Sequence, residues 1–227
     1  EEHKFNGIIW SGIINSRSGV NKSNEFNSAS SITKDLLPSF GSIQKLHAWD
    51  DRIIIFCEDK ILRAYADKDI LYNANGNPNV VATNRVIGAV EPYNGEYGIS
   101  KNPESFASHG FRCYFTDKTR GTVLRLSKDG LTPISKVLMS GFFKDRFFNT
   151  GCYNSNVDNS FIIGSYDNYN ELYNLSFIGR DTVCYDENVN GWTTRKSFIP
   201  ENGISLNNIY YTYKSGEIWR HDDLNVP

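Results

Sequence analysis

The sequence predicts an all-β fold, a β-propeller or partial propeller of four-stranded antiparallel blades with long inter-blade loops, and three observations carry that expectation. Short runs of β-branched and aromatic residues are bounded by Asp/Gly turns, as antiparallel strands require. The same strand–turn–strand grammar occurs four times along the chain. Taking Leu62, Leu124, Leu172 and Ile218 as equivalent positions, the separations are 62, 48 and 46 residues, and a period of roughly 40 to 50 residues with four strands per unit is that of a propeller blade.

The clearest copy runs from Arg112 to Ser135. Cys113-Tyr114-Phe115 breaks at Asp117-Lys118-Thr119-Arg120-Gly121, resumes with Val123 and Leu124, and breaks again at Lys128-Asp129-Gly130, giving three strands and two hairpin turns. Arg52 to Phe56 turns at Glu58-Asp59-Lys60 into Ile61 to Tyr65, which is expected to turn again at Asp67-Lys68-Asp69 into Ile70-Leu71-Tyr72. Phe161-Ile162-Ile163 turns at Asp167-Asn168-Tyr169-Asn170 into Glu171 to Leu175. Ile209-Tyr210-Tyr211 turns at Lys214-Ser215-Gly216 into Glu217 to Arg220.

The remaining segments are placed around these repeats. Asn6 to Asn15 reads as one strand without a nearby hairpin partner, which would complete a blade begun at the other end of the chain. Ser16 to Lys34, rich in Ser and Asn, reads as a loop or extended crossing segment. Asp35-Leu36-Leu37 before Pro38 is at most a helical turn. Ser42 to Trp49 alternates and serves as the innermost strand of the first blade. Asn73 to Asn84 looks like an inserted loop, and Val86 to Ser100, with its glycines and Pro92, like a bent approach to the second blade. Asn102 to Ser105 is a turn. Lys136 to Asn149 forms a short helix whose Phe142, Phe143, Phe147 and Phe148 pack in a core. Asp181 to Phe198 is the long outer hairpin of the third blade, with Trp192 near its turn, either exposed toward a neighbour or tucked inward. One propeller-like domain over 1–227 is thus expected, with an N-terminal strand and crossing loop over 1–41. Its approximate blades are 42–85, 86–135, 136–200 and an incomplete 201–227.

Composition limits the function. At 227 residues, 39% hydrophobic and 14% aromatic, the chain can bury a sizeable core and is not of disordered type. A formal net charge of −2 offers no general attraction to nucleic acid or an anionic membrane. No apolar run is long enough to span a membrane, and EEHKFNGIIW lacks the basic start and long apolar core of a secretory signal. The first residue is not Met, so the chain reads as a piece of a longer polypeptide.

No residue set nominates catalysis, a cofactor or a metal. Cys57, Cys113, Cys152 and Cys184 form no CxxC pair and read as buried free thiols. His3, His47, His109 and His221 have no metal-binding spacing. Ser127-Lys128-Asp129-Gly130 superficially resembles the Asp-box turn of sialidase-type propellers, but its Gly comes one place early and no Trp follows, so an ordinary Asp-Gly hairpin is expected. No pair of facing carboxylates stands out for glycoside hydrolysis. GxSxG, Walker and GxGxxG motifs are missing from the sequence. Asp167 to Glu171 and Asn73 to Asn79 carry oxygen ligands without the spacing of a calcium loop, and read as turns.

Four segments, GSIQKLHAWDDRIIIFCEDKILR, GEYGISKNPESFASHGFRCYFTDKTRGTVLRLSKDGL, IIGSYDNYNELYNLSF and NGWTTRKSFIPENGISLNNIYYTYKSGEIWRHD, resemble virion structural proteins of tailed bacteriophages. They are most similar to the tail nozzle or muzzle proteins of crAss-like, short-tailed phages of Bacteroidetes. The likeness runs from Asn21 to Asp222. It implies a propeller domain in a homo-oligomeric ring beneath the portal and adaptor, around the channel through which the genome leaves. It also implies contacts with other tail or portal-proximal proteins, transient passage of DNA without specific binding, and a virion location after folding in the host bacterial cytoplasm. Two other functions fit a propeller: a carbohydrate-active protein using Trp192, Trp219 and tyrosines as sugar platforms, and a host-encoded scaffold.

Overall fold

The structure, a computed structural model, describes residues 3–12, 14–29, 31–49, 52–72, 75, 78–149 and 162–222. Strands make up 52% of it, in several antiparallel sheets. This establishes the β class read from the alternating runs. The chain divides into two compact units, Glu1–Glu96 and Tyr97–Pro227.

In the first unit, β1 (Gly7–Ile9) is separate from β2 (Ile14–Asn15), which pairs with β3 (Val20–Asn21), while β1 pairs with β4 (Thr33–Asp35). The single strand expected over Asn6 to Asn15 is therefore two pieces. It breaks because the backbone turns aside at Gly12, whose N–H donates to the Glu25 carbonyl at 3.0 Å. Nor does it complete a blade at the far end of the chain. Its partner lies in the segment expected to be a loop, fixed by Trp10 N–H to Ile32 O at 3.0 Å and Leu36 N–H to Asn6 O at 2.9 Å. The helical turn falls at Pro38–Phe40, one step after the Asp35-Leu36-Leu37 segment.

A four-stranded sheet follows, β5 (Ile43–Trp49), β6 (Arg52–Cys57), β7 (Ile61–Tyr72) and β8 (Pro78–Pro92), in sequence order. Ile53 and Ile55 stand opposite Ala64 and Leu62, and this face packs with Cys57, Ile87 and Leu36 and with Ile8, Trp10 and Phe40 of the N-terminal segment. Ile54 and Phe56, on the other face of β6, are equally buried, which is why this strand is apolar from Ile53 to Cys57.

Three expectations fail in this sheet. Asp67-Lys68-Asp69 is not a turn: β7 runs on to Tyr72, with register irregularities between Ala64 and Lys68. The inserted loop expected over Asn73 to Asn84 shrinks to the hairpin connection, because Pro78 already pairs with Tyr72. Val86 to Pro92 belongs to β8 and closes this sheet instead of opening the next, so the expected blade edge at residue 85 falls inside a strand. Cross-strand pairing, as of Asp69 with Val81, outweighs the turn preference of a local Asp-Lys-Asp sequence.

The second unit opens with a helical turn at Pro103–Ser105, then β9 (Ala107–His109), β10 (Arg112–Asp117), β11 (Thr122–Ser127) and β12 (Gly130–Pro133), again in sequence order. Helix α1 (Ser140–Asn149) connects to β13 (Ile162–Asp167), β14 (Leu172–Phe177), β15 (Thr182–Asp186) and β16 (Gly191–Lys196). A three-stranded sheet completes it, β17 (Asn202–Leu206), β18 (Ile209–Lys214) and β19 (Glu217–Arg220).

The hairpin turns obey local chemistry. Asn207-Asn208 and Ser215-Gly216 all have positive φ, as two-residue hairpin turns of right-handed twist require. The register revises the repeat alignment. Asp117 pairs with Thr122 and Asp167 with Leu172, so Leu172 corresponds to Thr122, two places from the Leu124 taken from the apolar pattern.

The core of this unit joins its first two sheets. Tyr114 and Val123 meet Tyr173, Leu175, Phe177 and Val183, and α1 adds Phe143 and Phe147, one helical turn apart on one face. Phe142 is partly buried against the same core and Phe148 points outward. The helix and its aromatic packing were thus legible, but only half of its phenylalanines are fully inside.

Candidate functional site

A concave surface in the second unit forms where first strands of consecutive sheets meet, β9 beside β13 and β13 beside β17. A cleft of about 350 Å³ opens there, lined by Ser108, His109, Tyr166, Asn168, Asn202 and Ser205 among others. Small residues make the approach possible. A Cβ on Gly164 would lie 1.9 Å from the Ser105 carbonyl oxygen, and one on Gly203 would lie 2.7 Å from the Tyr210 hydroxyl. The strands are then pinned: Tyr173 Oη donates to Ser105 O at 2.7 Å, Ser205 Oγ donates to Tyr166 O at 2.8 Å, and Asn168 N–H donates to Ser205 Oγ at 3.0 Å.

Behind the cleft His109 stacks on Tyr166 at 4.3 Å, and Tyr114 stacks on Tyr166 at 5.7 Å and on Tyr173 at 4.8 Å. Burial pushes the Tyr166 hydroxyl up to about 12, with Glu171 adding to the effect. Tyr114 is raised further, by burial and then by its bond to Glu187. These phenols remain protonated hydrogen-bond donors. Glu187 accepts from Tyr114 Oη at 2.6 Å and from Arg125 Nη1 at 2.8 Å. This nearly buried ion pair joins the first and second sheets of the unit and occupies the Glu187 carboxylate.

The Asp167 carboxylate is likewise occupied. Asp167 accepts from the Tyr169 N–H at 3.1 Å, the Asn170 N–H at 3.3 Å and Asn170 Nδ2 at 2.9 Å, and lies 3.7 Å from Lys196 Nζ. The Asp167–Glu171 segment considered for calcium therefore spends its buried oxygens on its own turn. The Asn73–Asn79 segment lies largely outside the described residues. Among the described residues no three His, Cys, Asp or Glu side chains gather as a metal site. Ser127 to Gly130 makes a hairpin in which Ser127 pairs with Gly130, whose φ is 106°.

Cys57, Cys113 and Cys184 are free and buried; burial pushes the first two up to about 12 and the third to about 11, far from the thiolate state that reactivity needs. Cys152 lies outside the described residues. Trp192 is tucked: its Nε1 donates to Ile134 O at 3.2 Å, and its ring lies 4.5 Å from Phe143 and 5.5 Å from Tyr185. It is partly buried against that core. Trp219 is the exposed tryptophan of the pair named from the sequence. Sequence reasoning missed the cleft, because its lining comes from three segments far apart in the chain. The signal that could have found it is Gly164 and Gly203 inside apolar strands, the mark of close backbone approach.

No helix among the described residues is long and apolar enough to cross a membrane. No curated protein matches the chain. The family model of the Crassvirus muzzle protein does match it, over residues 24–216, nearly the whole span of the resemblance read from the four segments. With that match extending from residue 24 through β18 and over the cleft, the chain belongs to the crassvirus muzzle protein family.

Proposed function

We propose that the chain is a non-enzymatic structural component of the phage tail, one part of a homo-oligomeric ring that lines the conduit for genome ejection and touches neighbouring tail or portal-proximal proteins. The observation that carries this reading is the family match over 24–216. The arrangement of the sheets supports a propeller-like body. Every four-stranded sheet is a meander in sequence order, and in the second unit the first strands of consecutive sheets lie side by side. Blades around a common axis have that arrangement. Such a body supplies stiffness and contact surface.

A conduit wall must also release what passes through it. Tight phosphate binding comes from clustered Lys and Arg, whereas this chain has 24 Lys and Arg against 26 Asp and Glu. Several of those cations are already held, Arg125 by Glu187, Arg120 by Asp117 and Arg63 by Glu91. Cryo-electron microscopy of purified virions should find the protein at the tail. Titration with duplex DNA at physiological salt should show no tight, salt-sensitive complex. Absence from the virion would remove the proposal, and tight DNA binding would remove the passive-conduit part of it.

A further inference from the structure

The cleft between the first strands of the second unit has a lining whose chemistry is selective. No residue around it is Lys, Arg, Asp or Glu, so it offers neither the cations that hold a phosphate or carboxylate nor the anions that hold an amine. Hydroxyls, side-chain amides and glycine backbone dominate it, unlike the mostly apolar walls that suit an apolar ligand. An added peptide strand needs a spacing of about 4.8 Å from its neighbour. At Gly164 even a methyl group would lie 1.9 Å from the Ser105 carbonyl oxygen.

Several polar groups of the lining are unspent. Asn202 Oδ1 accepts the Gly203 N–H at 2.8 Å, while its amide nitrogen makes no hydrogen bond among the described residues. The Asn168 side chain, the Ser108 hydroxyl and the ring nitrogens of His109 make none among them either. A carboxamide donates and accepts in one plane, which matches two adjacent hydroxyl groups that each do both. Beside these groups stand Phe106, half-buried, and Ile204, 52% exposed, an apolar flank suited to the C–H face of a sugar ring.

We propose that this cleft binds a neutral saccharide residue, with Asn168, Asn202, Ser108 and His109 as its hydrogen-bonding partners. The volume of about 350 Å³ falls in the lower part of the ~300–1,000 Å³ range of sites for organic ligands, room for one ring unit. The rest of a glycan would leave past the exposed Ser108 and Asn202. The floor is fixed before binding, by Tyr173 on Ser105 O and by Ser205 on Tyr166 O, so little ordering opposes association. With no carboxylate in the lining to act as acid or nucleophile, the sugar is held and released unchanged. This site goes beyond the tail role and does not depend on it.

The test titrates the full chain with glucose, galactose, mannose and N-acetylglucosamine and follows its amide signals by nuclear magnetic resonance. At least one of these sugars should shift Gly110, Gly164 and Gly203 saturably, with glucuronate, glucosamine and inorganic phosphate far weaker. Asn168→Ala and Asn202→Ala should each weaken binding about fivefold, the worth of one or two neutral hydrogen bonds. Ser108→Trp, at an exposed position on the rim, should abolish it, and thermal melts of these variants should match wild type. Trp219→Ala, which removes the exposed tryptophan outside the cleft, should bind as wild type does. No saturable shift with any neutral sugar, an equal response to phosphate or the charged sugars, or unimpaired binding by both asparagine variants overturns the proposal and leaves the tail assignment standing.

Discussion

Asp117 and Asp167 perform the same task in consecutive sheets: each is fully buried at the last position of its strand, and each accepts the backbone N–H three residues on, Arg120 at 3.0 Å and Asn170 at 3.3 Å. Asp117 also accepts from the Gly98 N–H at 3.1 Å and Ser100 Oγ at 3.0 Å. A buried carboxylate that satisfies several donors holds its turn shut, and its removal strands those donors. Asp117→Ala and Asp167→Ala should each lower stability by about 2–3 kcal/mol. The Asn variants, which keep one acceptor oxygen, should lose less. Urea denaturation of the four variants checks the order, and an Ala variant as stable as wild type would refute the role.

Gly164 and Gly141 should respond oppositely to alanine. At Gly164 the new methyl would lie 1.9 Å from the Ser105 carbonyl, a backbone group that Tyr173 also holds. Such overpacking costs about 3 kcal/mol, the upper end of the usual range, and Gly164→Ala should unfold the second unit or separate β13 from the Pro103–Ser105 turn. Gly141 lies in α1 with nothing within 4 Å of its would-be methyl. Gly141→Ala should therefore stabilise by about 0.5–1 kcal/mol. Thermal melts of both variants measure the contrast.

Stability should decline on mild acidification, in part through His221. Burial lowers the pKa of its imidazole, with Lys196 adding to the effect and Asp222 and Asp167 opposing it. The ring lies 4.5 Å from Phe198 and 5.1 Å from Tyr210, and Nε2 is 2.8 Å from Thr212 Oγ1. Because the folded value is depressed, the unfolded chain binds the proton more readily. The contribution is complete above the unfolded value of about 6.5 and is lost as pH falls below it. His47, lowered by burial and Lys45, acts in the same direction. The drop in urea midpoint between pH 7.5 and 5 should shrink in His221→Gln and shrink again when His47→Gln is added. An unchanged drop in both variants would exclude these groups.

Thiol labelling distinguishes packing from chemistry. In a Cys152→Ser background, Cys57, Cys113 and Cys184 should be inert to an aromatic disulfide reagent at pH 8 in the native state, since each is buried with its pKa raised. All three should react in denaturant. Fast native labelling of any one would mean its strand opens on the timescale of the assay.

The turns were legible in the sequence because their chemistry is local. Asp117 to Gly121, Lys128 to Gly130 and Ser215-Gly216 carry the residues that tight reversals need, and the hairpins form there. The helix Ser140–Asn149 and the β class were readable for the same reason: apolar spacing reports the period of the element that bears it. Pairing across distance decided the rest. Asp67-Lys68-Asp69 became strand because β8 lies alongside it, Asn6 to Asn15 split because β4 and Glu25 capture its two halves, and Trp192 turned inward because Ile134 and Phe143 wait beneath it. The first-strand cleft exists only once sheets lie side by side. A chain encodes its turns in neighbouring residues, whereas a surface is assembled from residues that only packing brings together.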